Sequence, residues 1–421
     1  MERTSKIKIT YILFSITVFV LCLIYANLNQ VIFLMDENND IIFSKLQFDH
    51  SELVTNLFHG DGFYQYRYGV KYYLAKMPIL PLLISGLSSI SKNLYFIYFV
   101  KNLILFSILF FSLNFYCEKH NKSYIFFLIF LVSIFAIPHN LHVQLNIHFA
   151  DTIVACLLPS LFLILSTENK RKYIYISLIL FVLYLTKTSM FFLCLIIPFI
   201  ILILENDKIS LKILPIFAVT LSISVWGSFG YLKTGVFPFG SKILSVSSEG
   251  MNIALNKEFN KYYPKKSVDL IKYEKPKKKY ENEWEIYEFY KEKNKIYIKN
   301  NLNRYVKDTL IKINFIFFNI HKDAAFPDKN GEYYNPLKIS YLVNKLFFNL
   351  SLIISLVVII KNINKIYNIK REIYFLSIVS FNLFPLIVGW ATAKHLTGLT
   401  IVCIIYSLTF FLNKIKMNKN L

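Results

Sequence analysis

Long apolar runs separated by short polar connections set the pattern of this chain. About 20 consecutive apolar residues carry a helix across hydrocarbon. Runs of that kind fall at roughly 8–28, 94–116, 123–138, 149–166, 172–187, 189–205, 212–232, 338–360, 373–391 and 396–413. The pattern therefore predicts an all-α polytopic membrane protein of about 10 transmembrane helices. Two long intervals interrupt it, 29–92 and 233–337. They divide the chain into an N-terminal membrane part (1–232) that contains a first outer loop (29–92), an extracytoplasmic segment or lid (233–337), and a C-terminal membrane part (338–421).

The intervals have their own periodicity. Around 44–58, Leu46, Leu53, Val54 and Leu57 favour one side of a short helix that can lie in the membrane interface. A Gly60-Asp61-Gly62 turn follows, then a tyrosine-rich stretch from Tyr64 to Tyr73 that includes Arg67 and Lys71. Pro78 to Ile90 is apolar but too short to span, which predicts a juxtamembrane or re-entrant helix. In the second interval Pro238, Pro264, Pro276 and Pro327 punctuate polar sequence, and an amphipathic helix is expected from about Glu281 to Asn300.

Composition agrees with the pattern: 55% of the 421 residues are hydrophobic and 17% aromatic, and a water-soluble core cannot hide so much apolar surface. Charge then orients the helices, because short cytoplasmic connections collect Lys and Arg. Arg3, Lys6 and Lys8 precede the first run, and every second connection is basic: Lys119 and Lys122, Lys170 to Lys172, Lys208 and Lys212, Lys361 to Arg371, and Lys414 to Lys419. Both termini are expected in the cytoplasm and the two long intervals outside, in a bacterial inner (plasma) membrane. The first run is too long for a cleavable leader and lacks a small-x-small site, so it reads as a signal anchor. Much of the net charge of +21 is this orienting charge, with more around Lys265–Lys279. It is split between both membrane faces and matches no recognition module, which argues against nucleic acid and leaves membrane lipids or a glycan as partners. The five cysteines have no paired spacing, against both a disulfide framework and a thiolate metal site.

Ionisable residues near membrane spans mark function because burying them costs several kcal/mol. Asp151 opens the fourth span, Lys187 closes the fifth, Lys394 and His395 precede the last, and Lys101 lies about two turns inside the second. All fall toward the outer side. With the carboxylates Asp36, Asp40, Asp49 and Glu52 and the cation Lys76 of the first loop, they describe a reaction chamber at the outer leaflet. Plainer roles stand beside this one: Asp151 and Asp49 as helix caps, Lys76 as a snorkelling lysine, Lys187, Lys394 and His395 as boundary anchors, and Arg67, Lys71 and Tyr73 as an interfacial belt. His50 and His59 lie near the carboxylates without metal-ligand spacing; no cofactor is implied, and a divalent cation is left open.

Four blocks carry a family resemblance. Asn56-Leu57-x-x-Gly60-x-Gly62-Phe63 precedes Lys76-Met77-Pro78-Ile79-Leu80-Pro81; Leu185-Thr186-Lys187-Thr188 lies between spans; Val225-Trp226-Gly227-Ser228-Phe229 leads through Gly235-Val236-Phe237-Pro238 to Gly250-x-Asn252; and Ala393-Lys394-His395-Leu396 approaches the last span. In this order they resemble the GT-C superfamily of polyprenyl-phosphate-sugar-dependent glycosyltransferases, in particular the bacterial relatives of protein O-mannosyltransferases and of the lipid A aminoarabinose transferase. The spacing between the carboxylates and Gly60, and the Ser228-Phe229 after the tryptophan, depart from the family pattern.

The resemblance implies transfer of a sugar from a polyprenyl-phosphate donor to a lipid, glycan or protein acceptor by a single inverting displacement. The chemistry it implies needs a carboxylate base, for which Asp49 is chosen, with Asp36, Asp40 and Glu52 as alternatives. It assigns the donor phosphate to Lys76, Lys187, Arg67, Lys394 and His395, and substrate contacts to Asp151, Asn56, Tyr73 and Asn252. A lipid-linked glycan polymerase, or a non-catalytic transporter or flippase, shares the hydropathy and is the alternative.

Overall fold

The computed structural model describes residues 2–28, 50–67, 69–120, 127–129, 143, 150–240, 280–318, 326–327, 333–334, 338–362, 369–388 and 393–418. The carboxylates Asp36, Asp40 and Asp49, the residue Asn252, the Lys265–Lys279 segment and nearly all of the expected third span lie outside these residues.

Helices make up most of what is described. Helix α1 covers Glu2–Leu28, α2 Ser51–His59, α3 Ile79–Ile90, α4 Leu94–Lys119, α5 Asp151–Leu165, α6 Lys172–Thr186, α7 Phe191–Leu204, α8 Leu214–Thr234, α9 Glu283–Asn300, α10 Leu302–Phe318, α11 Lys338–Asn362, α12 Ile369–Val388 and α13 Thr397–Asn418. The expected short apolar helix is α3, and the expected amphipathic one is α9. The tyrosine-rich stretch, which the sequence left without an element, folds as an antiparallel hairpin of β1 (Gln65–Arg67) and β2 (Val70–Tyr72), with Gln65 opposite Tyr72. A second hairpin pairs Phe326–Pro327 with Tyr333–Tyr334. Among the described residues, α4 and the stretch Ile209–Thr234 are each long and apolar enough to cross a membrane, and several shorter helices are equally apolar.

Helix α5 is the hub. Each of its residues is buried, and α4, α6 and α13 pack along it while α8 covers α6 and α11 covers α13. Outer faces of the surrounding helices are apolar as well: Ile12, Ile16 and Phe19 of α1, Phe199 and Ile203 of α7, and Phe217 and Leu221 of α8 are exposed. A bundle apolar inside and out is the pattern of helices solvated by hydrocarbon. Hydroxyls follow the same logic by donating to carbonyls one turn back, as Ser160 does to Cys156 and Thr186 to Val182. Between α11 and α13, Ser355 and Ser407 meet at 3.1 Å, a polar contact that helices without a hydrophobic driving force between them can use.

Chain direction sorts the connections to two ends of the bundle. One end collects residues 119–120, 166–171 and 205–213 and the start of α12, with the basic residues Lys119, Lys170, Arg171, Lys208, Lys212, Lys370 and Arg371. Their anchor is Glu205, which lies 2.7 Å from Lys172 Nζ, accepts from the Tyr374 hydroxyl at 2.9 Å and pairs with Lys370 at 3.5 Å. The opposite end collects the β1–β2 hairpin, residues 187–190, residues 235–240 and the 3-10 turn Ala393–Leu396.

Candidate functional site

At that opposite end, three residues far apart in sequence meet. Asp151 is the first residue of α5, where the positive end of the helix dipole favours a carboxylate. Lys187 leaves α6 in an extended conformation and starts the 3-10 turn Thr188–Met190 that leads into α7. His395 sits in the 3-10 turn before α13. Lys187 Nζ lies 2.5 Å from Asp151 Oδ1, and His395 Nε2 lies 3.7 Å from Asp151 Oδ2. The aspartate is 7% exposed and the histidine 12%, while the lysine keeps 20% of its surface. A charge-assisted hydrogen bond in such a setting fixes the position of the ammonium, and its partial exposure keeps it within reach of an anion.

Two close approaches build this corner. Gly398, three residues beyond His395, presses so tightly on α5 that a Cβ there would stand 3.0 Å from the Val154 carbonyl oxygen. Beside Lys187, Asn382 of α12 donates to Met190 Sδ at 3.9 Å. Thr152 Oγ1, Ser189 Oγ, Asn382 Oδ1 and Thr397 Oγ1 are buried in this neighbourhood without a hydrogen-bond partner among the described residues. Buried polar atoms in that state are uncommon, and each calls for an explanation.

The first-loop residues occupy the same end but serve a different local purpose. Glu52 Oε1 accepts from the Tyr66 backbone amide at 2.7 Å, and Asn56 Nδ2 donates to the Tyr64 carbonyl at 2.8 Å. Both brace the hairpin against α2. Gly60 caps α2 at φ +81° and Gly62 follows at φ +111°, conformations that L side chains rarely adopt, which is why the turn carries glycine at both. Lys76 is half-buried in the bend between β2 and α3, with Met77 buried beside it. Arg67 ends β1 and Lys394 lies in the 3-10 turn; their side chains are outside those described. Tyr73 is half-buried in the same bend as Lys76, 6.0 Å between ring centroids from Tyr64.

A run of contacts joins the two groups. The Tyr184 hydroxyl donates to the Phe239 carbonyl at 2.6 Å, and a Cβ on Gly240 would come within 2.8 Å of Thr188 Cγ2. Pro238 covers Gly230, whose other neighbour is Leu74, and Phe63 packs edge-on against Trp226 and Phe229. The Trp226-Gly227 and Phe237-Pro238 blocks are therefore packing partners that fold residues 235–240 back over α8. Sequence reasoning missed Glu283, which is 2% exposed and whose Oε2 accepts from the Leu74 amide at 3.2 Å, tying α9 to the first loop. Its only sequence signal is a carboxylate in the first turn of an amphipathic helix.

Among the described residues, no group of three or more His, Cys, Asp or Glu side chains sits together as a metal site. All five cysteines are buried. Comparison of the chain with known protein families, with curated proteins and with solved structures finds no match.

Proposed function

We propose that the chain is a polytopic membrane glycosyltransferase of the GT-C type, with about 10 spans, cytoplasmic termini and an active site on the outer face. It moves a sugar from a polyprenyl-phosphate donor to an extracytoplasmic lipid, glycan or protein acceptor. The observation that carries this reading is the Lys187–Asp151–His395 constellation. It gathers three positions from separate segments, two of them in blocks that resemble the family, at the end of the bundle that also holds the first loop.

The chemistry follows from what the groups can do. As the glycosidic C–O bond to the donor phosphate breaks, negative charge grows on the leaving phosphate, and fixed cations lower that barrier most when they need not reorganise. Lys187, held by Asp151, is such a cation, and Lys76 supplies a second on the loop side. A first-loop carboxylate, Asp49 by preference, takes the proton from the acceptor hydroxyl, a contribution on the order of 10²–10⁴-fold. His395 restrains the second oxygen of Asp151 and so keeps Lys187 aimed.

The test is a transfer assay on membranes with a panel of polyprenyl-phosphate sugars. Wild type should transfer from at least one donor, with Lys187→Met and Asp49→Asn each lowering turnover at least tenfold. Transfer from none of them, with the protein folded and inserted, sinks the proposal. A transporter reading draws on Lys101, which is fully buried in α4. Substrate flux across proteoliposomes that is abolished by Lys101→Met, in the absence of transfer, would favour it.

A further inference from the structure

The first loop also helps to form a cleft to which none of Asp151, Lys187 and His395 contributes. It has a volume of about 810 Å³ and is formed where three segments meet: the β1–β2 hairpin, the C-terminal end of α8 and the residues that open α9. That volume falls within the range of ligand pockets, roughly 300–1,000 Å³. The cleft is built rather than incidental. Val70, Tyr72, Ala75 and Ile286 form a small buried core beneath it, with Tyr280 and Phe289 packed on that core. The Glu283–Leu74 hydrogen bond clamps α9 to the loop, and Asn282 caps α9 by accepting from the Trp284 and Glu285 amides at 3.0 and 3.1 Å.

The lining has a distinct chemistry. Tyr66, Tyr73 and Tyr280 supply aromatic surface, and Tyr66 is 52% exposed. Lys71 and Lys233 line it together with Glu281 and Glu283, two charges of each sign among the described residues. Lys71 Nζ lies 4.4 Å from the centre of the Tyr64 ring, which partly occupies that cation. Burial raises the Tyr280 phenol above its ordinary range, with Glu285 adding to the shift and Lys293 opposing it. Apolar ring faces bordered by a few neutral and balanced polar groups match a pyranose, which has an apolar C–H face and a rim of hydroxyls. A phosphate or a polyanion would call for uncompensated cations instead.

We infer that this cleft binds a neutral saccharide and holds it as the acceptor, with Tyr66 and Tyr280 as stacking platforms and Lys233 and Glu281 hydrogen-bonding to ring hydroxyls. The acceptor role rests on the transferase reading; the binding itself does not. The contacts from Leu74 through Gly230 and Pro238 to Phe239, Gly240 and Thr188 connect the cleft to the Lys187 corner.

The experiment is direct calorimetric binding to the full chain in lipid nanodiscs, free of glycosidic detergent. The probes are maltotetraose, chitotetraose and, as the anionic comparison, tetragalacturonate. At least one neutral probe should bind at up to roughly 10 mM, where even a millimolar site fills. Tyr66→Ala and Tyr280→Ala should each weaken that binding about tenfold, while Tyr66→Phe keeps most of it because the ring face remains. Failure of both neutral probes to bind, indifference to both alanine variants, or tetragalacturonate binding as tightly as the neutral probes overturns the inference. Saccharide binding that is sensitive to Tyr66 in a protein that transfers from no donor leaves the cleft standing and removes the transferase. Transfer by a protein whose saccharide binding ignores both tyrosines does the reverse.

Discussion

At the scale of single residues, the ion pair at Asp151 dominates. Removing one partner of a buried pair strands the other charge, so Lys187→Met should cost up to about 3 kcal/mol, moderated by the part of the lysine that is exposed. Lys187→Arg retains the charge and should recover most of that stability, although the planar guanidinium aims its donors differently and turnover should recover less. Thermal unfolding and transfer, measured on the same preparations, separate the two effects. Asp151→Asn should remove the restraint on Lys187 while preserving shape, lowering turnover with a smaller loss of stability than Asp151→Ala. Equal losses of stability and turnover across all these variants would reduce the cluster to a structural clamp.

Among the elements, the seat of α13 on α5 is a close approach to backbone near the site. Gly398→Ala would bring a Cβ to 3.0 Å from the Val154 oxygen and 3.3 Å from Ala155 Cα, both backbone atoms that cannot turn aside. Overpacking of this kind costs about 1–3 kcal/mol, and it should shift His395 as well, so unfolding and turnover should both suffer. Ser407→Ala, which removes the hydroxyl facing Ser355, should cost only about 0.6 kcal/mol, the usual scale for interhelical hydrogen bonds in membranes. Helix positions were legible in the sequence because a run of apolar residues is a local property. Helices α5 to α8 begin and end within a few residues of the expected runs. The β1–β2 hairpin was not legible: its alternation is blurred by tyrosines on both faces, and it is braced by Glu52 and Asn56 of the neighbouring helix. Tertiary pairings such as Glu283 with Leu74 leave no periodic trace and were invisible for the same reason.

The whole molecule presents two chemically different ends, and the proposed orientation can be tested on that basis. Since the five native cysteines are buried, labelling with a membrane-impermeant maleimide starts from a low background. Lys71→Cys, on the exposed hairpin, should label from outside intact cells, and Lys170→Cys, in the connection between α5 and α6, only after the membrane is opened. The reverse pattern would overturn the topology and with it the outer-face active site. The sequence brought Asp151, Lys187 and His395 to one membrane face through charge and span boundaries alone, but it could not show that they touch. That depends on how α5, α6 and α13 pack against one another. Because the histidine belongs to the turn before the last helix, the corner is finished only when that helix docks. On the proposed topology, Asp151 and Lys187 are synthesised well before their third member. Coexpressed fragments divided between 337 and 338 should regain turnover to the extent that α13 finds its groove, making the timing of assembly a property written into the order of the chain.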